Sequence, residues 1–155
     1  METLKPVNIL LVEDDPGDQK LIKNSMHEQK MANKLYIVSS GEEALEYLKK
    51  SKDGNAETPW PELILLDLNM PGMGGKEFLR QIKSGADFNM IPVVILTTSD
   101  SEEDILESYK LQAAGYVRKP VLLDAFCNVA KDINEYWFTL CKRVSQRQLS
   151  CTKSR

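Results

Sequence analysis

The sequence predicts an α/β domain: a doubly wound, five-stranded parallel sheet with helices on both faces. Three observations predict it. Strand-length runs of Val, Ile and Leu alternate with segments of helical period five times in succession. The runs are apolar almost without interruption, as strands buried on both faces must be. Right-handed crossovers between parallel neighbours then carry helices to both sides of the sheet.

The elements follow in order. Residues 7–12 (VNILLV) form the first strand. Asp15 then caps a helix with Pro16 at its first position and Leu21, Ile22, Ser25 and Met26 facing inward. A second strand at 35–38 precedes Ser40-Gly-Glu-Glu43, a capping box that opens a helix with Ala44, Leu45 and Leu48 inside. Residues 50–61 are polar, hold Gly54 and two prolines, and read as a loop. The third strand, 63–66 (LILL), leads into a Pro-Gly-Met-Gly-Gly turn and a helix near 76–83. The fourth strand, 93–96, is followed by an acidic-capped helix over 100–112. A short fifth strand spans 115–117, and a long last helix begins after Pro120.

Composition narrows the class. The chain has 155 residues, 42% hydrophobic and 28% charged, with 8 Gly and 7 Pro, which suits one globular domain and excludes collagen-like, disordered and disulfide-scaffold classes. A net charge of −3 gives no global reason to expect direct nucleic-acid binding. No apolar run approaches the roughly 18 residues of a membrane span, and the N-terminus lacks a signal-peptide pattern. Cys127, Cys141 and Cys151 are odd in number and form no C-x-x-C pair, so we expect reduced thiols and a cytoplasmic location.

In such sheets function sits at the carboxyl ends of the strands. There the sequence places Glu13, Asp14 and Asp15 after the first strand, and Asp67, with Asn69 two residues on, after the third. Thr97, Thr98 and Ser99 end the fourth strand, and Arg118, Lys119 and Pro120 follow the fifth. Carboxylates about 4 Å apart repel by roughly 4 kcal/mol at an effective dielectric near 20, so this cluster is no stability device. One acid must protonate, or a cation must fill the gap. Oxygen ligands without His or Cys favour Mg²⁺ or Ca²⁺ over zinc, and the EF-hand spacing is absent. An Asp facing Mg²⁺, a Lys and a hydroxyl is equipped to attack phosphorus. The plain reading of a strand-end acid is a helix cap, and it suits Asp15.

The segments LLVEDD, LLDLNMPGMGG, VVILTTSD and GYVRKP, in this order, resemble the receiver domain of two-component response regulators (the CheY-like superfamily) from about residue 7 to 133. The resemblance implies a flavodoxin-like fold with strand order 2-1-3-4-5. It implies Asp67 as phosphoacceptor. Glu13, Asp14, Asp67 and the backbone carbonyl of Asn69 would hold Mg²⁺, with Asp14 a direct ligand and Glu13 acting through water. Thr97 and Lys119 would hold the phosphoryl group, and Tyr116 would be the aromatic switch. It also implies a cis Lys119–Pro120 peptide and a sensor histidine kinase as partner. Glu13 stands where the family more usually has Asp, which lengthens the reach to the metal. The longer stretches at 50–61 and 84–91, with TTSD, GYVRKP and Tyr136-Trp137-Phe138, are similar to single-domain regulators paired with bacterial phytochrome kinases.

Other readings of these residues fit less well. Haloacid-dehalogenase-like phosphatases need a D-x-D pair, and the second position here is Asn69. With no second acid to protonate a leaving group, the protein is not expected to be an enzyme beyond weak autophosphorylation and self-dephosphorylation. The Pro71-to-Lys76 turn lacks the spacer of a phosphate loop, and Glu77 stands where that motif needs Ser or Thr. His27 reads as a solvated helix residue. The last helix places Leu122, Phe126, Val129, Ile133, Trp137, Leu140 and Val144 at spacings of three and four. It outruns the sheet, so either the chain bends back to pack locally, or Tyr136, Trp137, Phe138, Leu140 and Val144 form a homodimer interface or docking surface. The expected organisation is a receiver over 1–134, then a helix extension and basic tail over 135–155 with no separate output domain and no membrane contact. The tail's cations read as a solvated terminus.

Overall fold

A computed structural model describes residues 7–28, 33–98 and 101–119. Strands β1 (Val7–Val12), β2 (Asn33–Val38), β3 (Leu63–Leu66), β4 (Val93–Thr97) and β5 (Gly115–Arg118) alternate with helices α1 (Pro16–Glu28), α2 (Gly41–Lys52), α3 (Gly75–Ser84) and α4 (Glu102–Lys110). All pairings are parallel, in the order β2-β1-β3-β4-β5, as the resemblance implied. Chain reversal in strand order falls between β1 and β3, so the carboxyl ends of those two strands flank a crevice.

The period-2 alternation of the strands sorts their side chains between two cores. Leu10, Val12, Ile64, Leu66, Val93 and Ile95 pack with Ala44 and Leu48 of α2 and Phe78, Leu79 and Ile82 of α3. Ile9, Leu11, Leu63, Leu65, Val94 and Leu96 pack on the opposite face with Ile22 and Met26 of α1. Helices therefore cover both faces, and β3 and β4 are buried throughout. Each fully buried Leu, Ile or Val contributes roughly 1.5–3 kcal/mol, and this sheet holds many.

Capping chemistry fixes most helix starts. Asp18 N–H donates to Asp15 Oδ2 at 2.8 Å, so Asp15 is the cap that the sequence predicts. Glu43 N–H donates to Ser40 Oγ at 3.1 Å, while the Glu43 carboxylate accepts from Ser39 N–H rather than from Ser40, one residue outside the usual box. Helix α4 begins at Glu102 instead of 100, because Ser101 Oγ accepts from Asp104 N–H at 3.0 Å and three acids fill the first turn. It ends two residues early as well. Ala113 N–H bonds Ser108 O and Gln112 N–H bonds Tyr109 O, a Schellman closure with Gln112 at φ 69°.

Helix α2 runs to Lys52, into the predicted loop, since Lys49, Lys50 and Lys52 suit its C-terminal dipole and Ser51 is buried. The rest of the loop is anchored. Tyr47 Oη donates to Pro59 O at 2.8 Å, and Trp60 is buried with its ring 5.7 Å from that of Phe88. Pro120, the last helix, the proposed interface residues and the three cysteines lie outside the described residues.

Candidate functional site

The strand ends gather the predicted residues at one rim. Each strand there ends against a neighbour: Glu13 N–H donates to Val38 O, Asp67 N–H to Val12 O, and Lys119 N–H to Thr97 O, at 3.0, 3.0 and 2.6 Å. Ladder geometry thus sets the positions of Glu13, Asp67, Thr97 and Lys119 before any side chain is considered. All four are buried, Glu13 and Thr97 completely. Asp14 is half-buried.

The Lys119 ammonium sits among three acids. Nζ donates to Glu13 Oε1 and, at 2.9 Å, to Asp18 Oδ2, and it lies 3.6 Å from Asp67 Oδ2. Burial alone would lower the Lys119 pKa, but its bonds to Glu13 and Asp18 and the charge of Asp67 outweigh that and hold it above its ordinary value. The Glu13 pKa is raised as well, which for a carboxylate favours the neutral form. Desolvation first, then the adjacent Asp67, push its carboxyl up to about 8 against the pull of Lys119. The rim is short of positive charge.

A cation fits that deficit. Glu13, Asp14 and Asp67 each offer an oxygen, and the three oxygens lie within 4.8 Å of one another. Carboxylates alone make a hard donor set, which suits Mg²⁺ or Mn²⁺. A second observation concerns an anion: Thr97 Oγ1 is buried and has no hydrogen-bond partner among the described residues. An unpaired buried hydroxyl costs about 1–3 kcal/mol, which an oxyanion arriving at the rim would recover.

Asn69 is exposed, and its N–H donates to Asp67 Oδ1 at 3.3 Å, holding the carboxylate from the chain's own turn. Tyr116 lies within β5 opposite Ile95, half-buried against the α2–α3 core. Asp15 stays at its cap, outside the acidic cluster.

Three residues had escaped sequence reading. Asp18 reaches Lys119 from the first turn of α1, three residues after its cap, where a side chain points back over the strand end. That spacing was available as a signal. Gln19 donates to Glu13 O at 2.5 Å and to Ser39 Oγ at 3.1 Å, tying the β1 end to the β2 end. Gly75 lies so near the acceptor that a Cβ there would stand 2.3 Å from Asp67 O, while its N–H bonds Leu68 O at 3.1 Å.

Comparison with known proteins agrees with this fold. Residues 9–131 match the family model described as the response regulator receiver domain. Response regulator Rcp1 of Synechocystis is 36% identical over 136 residues, covering 88% of this chain and 92% of its own. The crystal structure of the phosphorylated cyanobacterial phytochrome response regulator RcpA superposes with a TM-score of 0.83 at 36% identity, covering 91% of this chain and all of that one. The Mn²⁺-bound form of Rcp1 gives a TM-score of 0.81 at 34% identity, over 90% of this chain and all of that one.

Proposed function

This chain belongs to the response regulator receiver domain family, and on that premise we propose that Asp67 accepts a phosphoryl group from a phosphohistidine of a sensor histidine kinase. The observation that carries the proposal is a nearly buried Asp67 within 3.6 Å of Lys119, sharing its rim with two more carboxylates and an unpartnered Thr97 hydroxyl. In the transfer, an Asp67 carboxylate oxygen forms a bond to phosphorus as the imidazole N–P bond breaks. The bonding pair returns to the ring nitrogen, and the histidine leaves neutral.

Glu13, Asp14, Asp67 and the carbonyl of Asn69 are the residues that would hold Mg²⁺, which when bound supplies positive charge against the phosphoryl oxygens. The Lys119 ammonium, already beside Asp67, takes one phosphoryl oxygen, and the Thr97 hydroxyl donates to another. Drawing Thr97 inward vacates space that Tyr116 follows into, which biases the surface of α4, β5 and the last helix. The phosphoryl group shifts this population only because one state offers it contacts that the other lacks. That surface serves dimerisation or partner binding in phosphorelay signalling. Receiver domains of this kind are not enzymes in the usual sense, and weak autophosphorylation and slow self-dephosphorylation are the activities expected.

The phytochrome connection rests on RcpA and on the chain's near-full coverage of Rcp1. We further propose 1–134 as the receiver and 135–155 as a homodimer contact and basic tail, a stretch that lies outside the described residues. Acetyl phosphate with Mg²⁺ should leave a hydroxylamine-labile adduct on the wild type and none on Asp67→Asn. An adduct on that variant would sink the assignment of the acceptor.

A further inference from the structure

The end of the molecule opposite Asp67 holds a second charged feature, of the other sign. Helix α3 begins against Asp67 and runs ten residues, about 15 Å, before it stops at Ser84. There, beside the C-terminal end of α4, lies an open cavity of about 160 Å³ lined by Arg80, Lys83, Ser84, Lys110, Leu111 and Gln112. Three of the six lining residues are cationic and none is acidic.

Lys83 and Lys110 stand in the last turns of α3 and α4, where the negative helix ends favour cations but offset only part of a unit charge each. Arg80 is paired with Glu77 along its own helix. Lys83 and Lys110 have no carboxylate partner among the described residues. Lys83 Nζ donates to two carbonyls, Asn89 O at 3.0 Å and Ile91 O at 2.6 Å, and an ammonium has a third N–H to give. Burial without a counter-charge lowers the Lys83 pKa below its ordinary value. Those two carbonyl bonds also hold the ammonium in place.

The backbone supplies an independent sign. Gln112 closes α4 at φ 69°, the left-handed position that helix ends normally give to Gly. A side chain there costs about 1 kcal/mol or somewhat more. The chain accepts that strain at a residue that lines the cavity. Strain of this kind gathers where a side chain has a task. The volume is ample for a tetrahedral oxyanion, since one water needs only about 10–15 Å³ measured this way.

We propose that this cavity between the C-terminal ends of α3 and α4 binds a small, multiply charged oxyanion, with Lys83, Lys110 and Arg80 supplying charge and Gln112 an amide donor. It would give the domain a ligand-binding site remote from Asp67. The proposal is independent of whether Asp67 is phosphorylated.

The test is amide NMR on the full chain in Mg²⁺-free buffer, titrated with pyrophosphate and, separately, with citrate, at ionic strength matched with sodium chloride. The two probes represent phosphate and carboxylate sources of the same chemistry. Saturable shifts at Ser84, Leu111 and Gln112 with either probe are expected. Lys110→Gln, an exposed position, should weaken binding about tenfold, equivalent to about 1.4 kcal/mol. Gln112→Gly should raise Tm by removing strain and also weaken binding. Shifts absent with both probes, or centred elsewhere, overturn the proposal. So does a Gln112→Gly protein that is more stable yet binds either probe as tightly as the wild type.

Discussion

Replacing Gly75 with Ala tests how tightly the acceptor is held. A Cβ at this position would lie 2.3 Å from Asp67 O, 2.7 Å from Leu68 Cα and 3.0 Å from the Asp67 carbonyl carbon. These are backbone atoms, so no rotamer change relieves the clash. Reaching the 3.4 Å where ordinary contact begins requires the first turn of α3 and the Asp67–Leu68 peptide to separate by about 1.1 Å. Overpacking of this kind costs about 1–3 kcal/mol. At roughly 2–4 °C per kcal/mol for a chain this long, Tm should fall by about 2–12 °C. The functional loss should exceed the structural one. A 1 Å misplacement of a reacting group can cost about 100-fold in rate, so acetyl phosphate should label Gly75→Ala about two orders of magnitude more slowly. Gly74→Ala is the matched control. Its Cβ would meet only Leu68 O, at 3.7 Å, and its φ of −68° suits any residue. Stability of that variant should stay within about 0.5 kcal/mol of wild type. If the two variants melt and label alike, the close approach of α3 to Asp67 does not position the carboxylate.

Saturating Mg²⁺ should raise Tm, by about 5–10 °C at 100 times Kd; chelation should reverse the rise, and Asp14→Asn should shrink it, whereas an unchanged melt would argue against a metal at the rim. Lys76 bridges α3 to Asp104 at 2.5 Å and Glu107 at 2.6 Å of α4, about a third exposed, so Lys76→Met should cost no more than about 1 kcal/mol and less in high salt. Those acids hold the Lys76 pKa above its usual value, so its contribution is complete below about 10.5 and is lost only as pH rises through the raised pKa. The wild-type advantage in urea melts should accordingly be flat from pH 7 to 10. Truncation after Asn134 should abolish self-association if the extended helix is a dimer contact, and an unchanged mass by light scattering would remove that idea.

The rim was legible because its signal is abrupt. An unbroken apolar run such as LILL must end where the sheet ends, and an acid directly after it, Asp67, can only stand at the edge. Glu13 and Thr97 follow the same logic at the ends of β1 and β4. Helix bounds were less legible where neighbouring caps compete: residues 100 and 101 both suit the start of α4, and only the hydrogen bond from Asp104 N–H to the Ser101 hydroxyl decides between them. Asp18 was hidden by redundancy, since an acid in a first helical turn already has a reason to be there through the helix dipole. Gly75 was hidden for another reason. A Gly-rich turn gives no hint which of its glycines faces the backbone of another segment. Gln112 escaped because a left-handed residue is invisible in sequence unless it is Gly or Asn.

The anchored segment before β3 gives the protein a built-in optical reference. The chain has two tryptophans, Trp60 and Trp137. Trp60 is buried beside Phe88, three residues before β3 begins and therefore at the edge of the sheet away from Asp67. Its emission should report whether the α2–α3 core is intact and ignore events at the phosphoacceptor. A fluorescence change on phosphorylation would then belong to Trp137, and Trp60→Phe would leave that single indole as a clean reporter of the C-terminal segment.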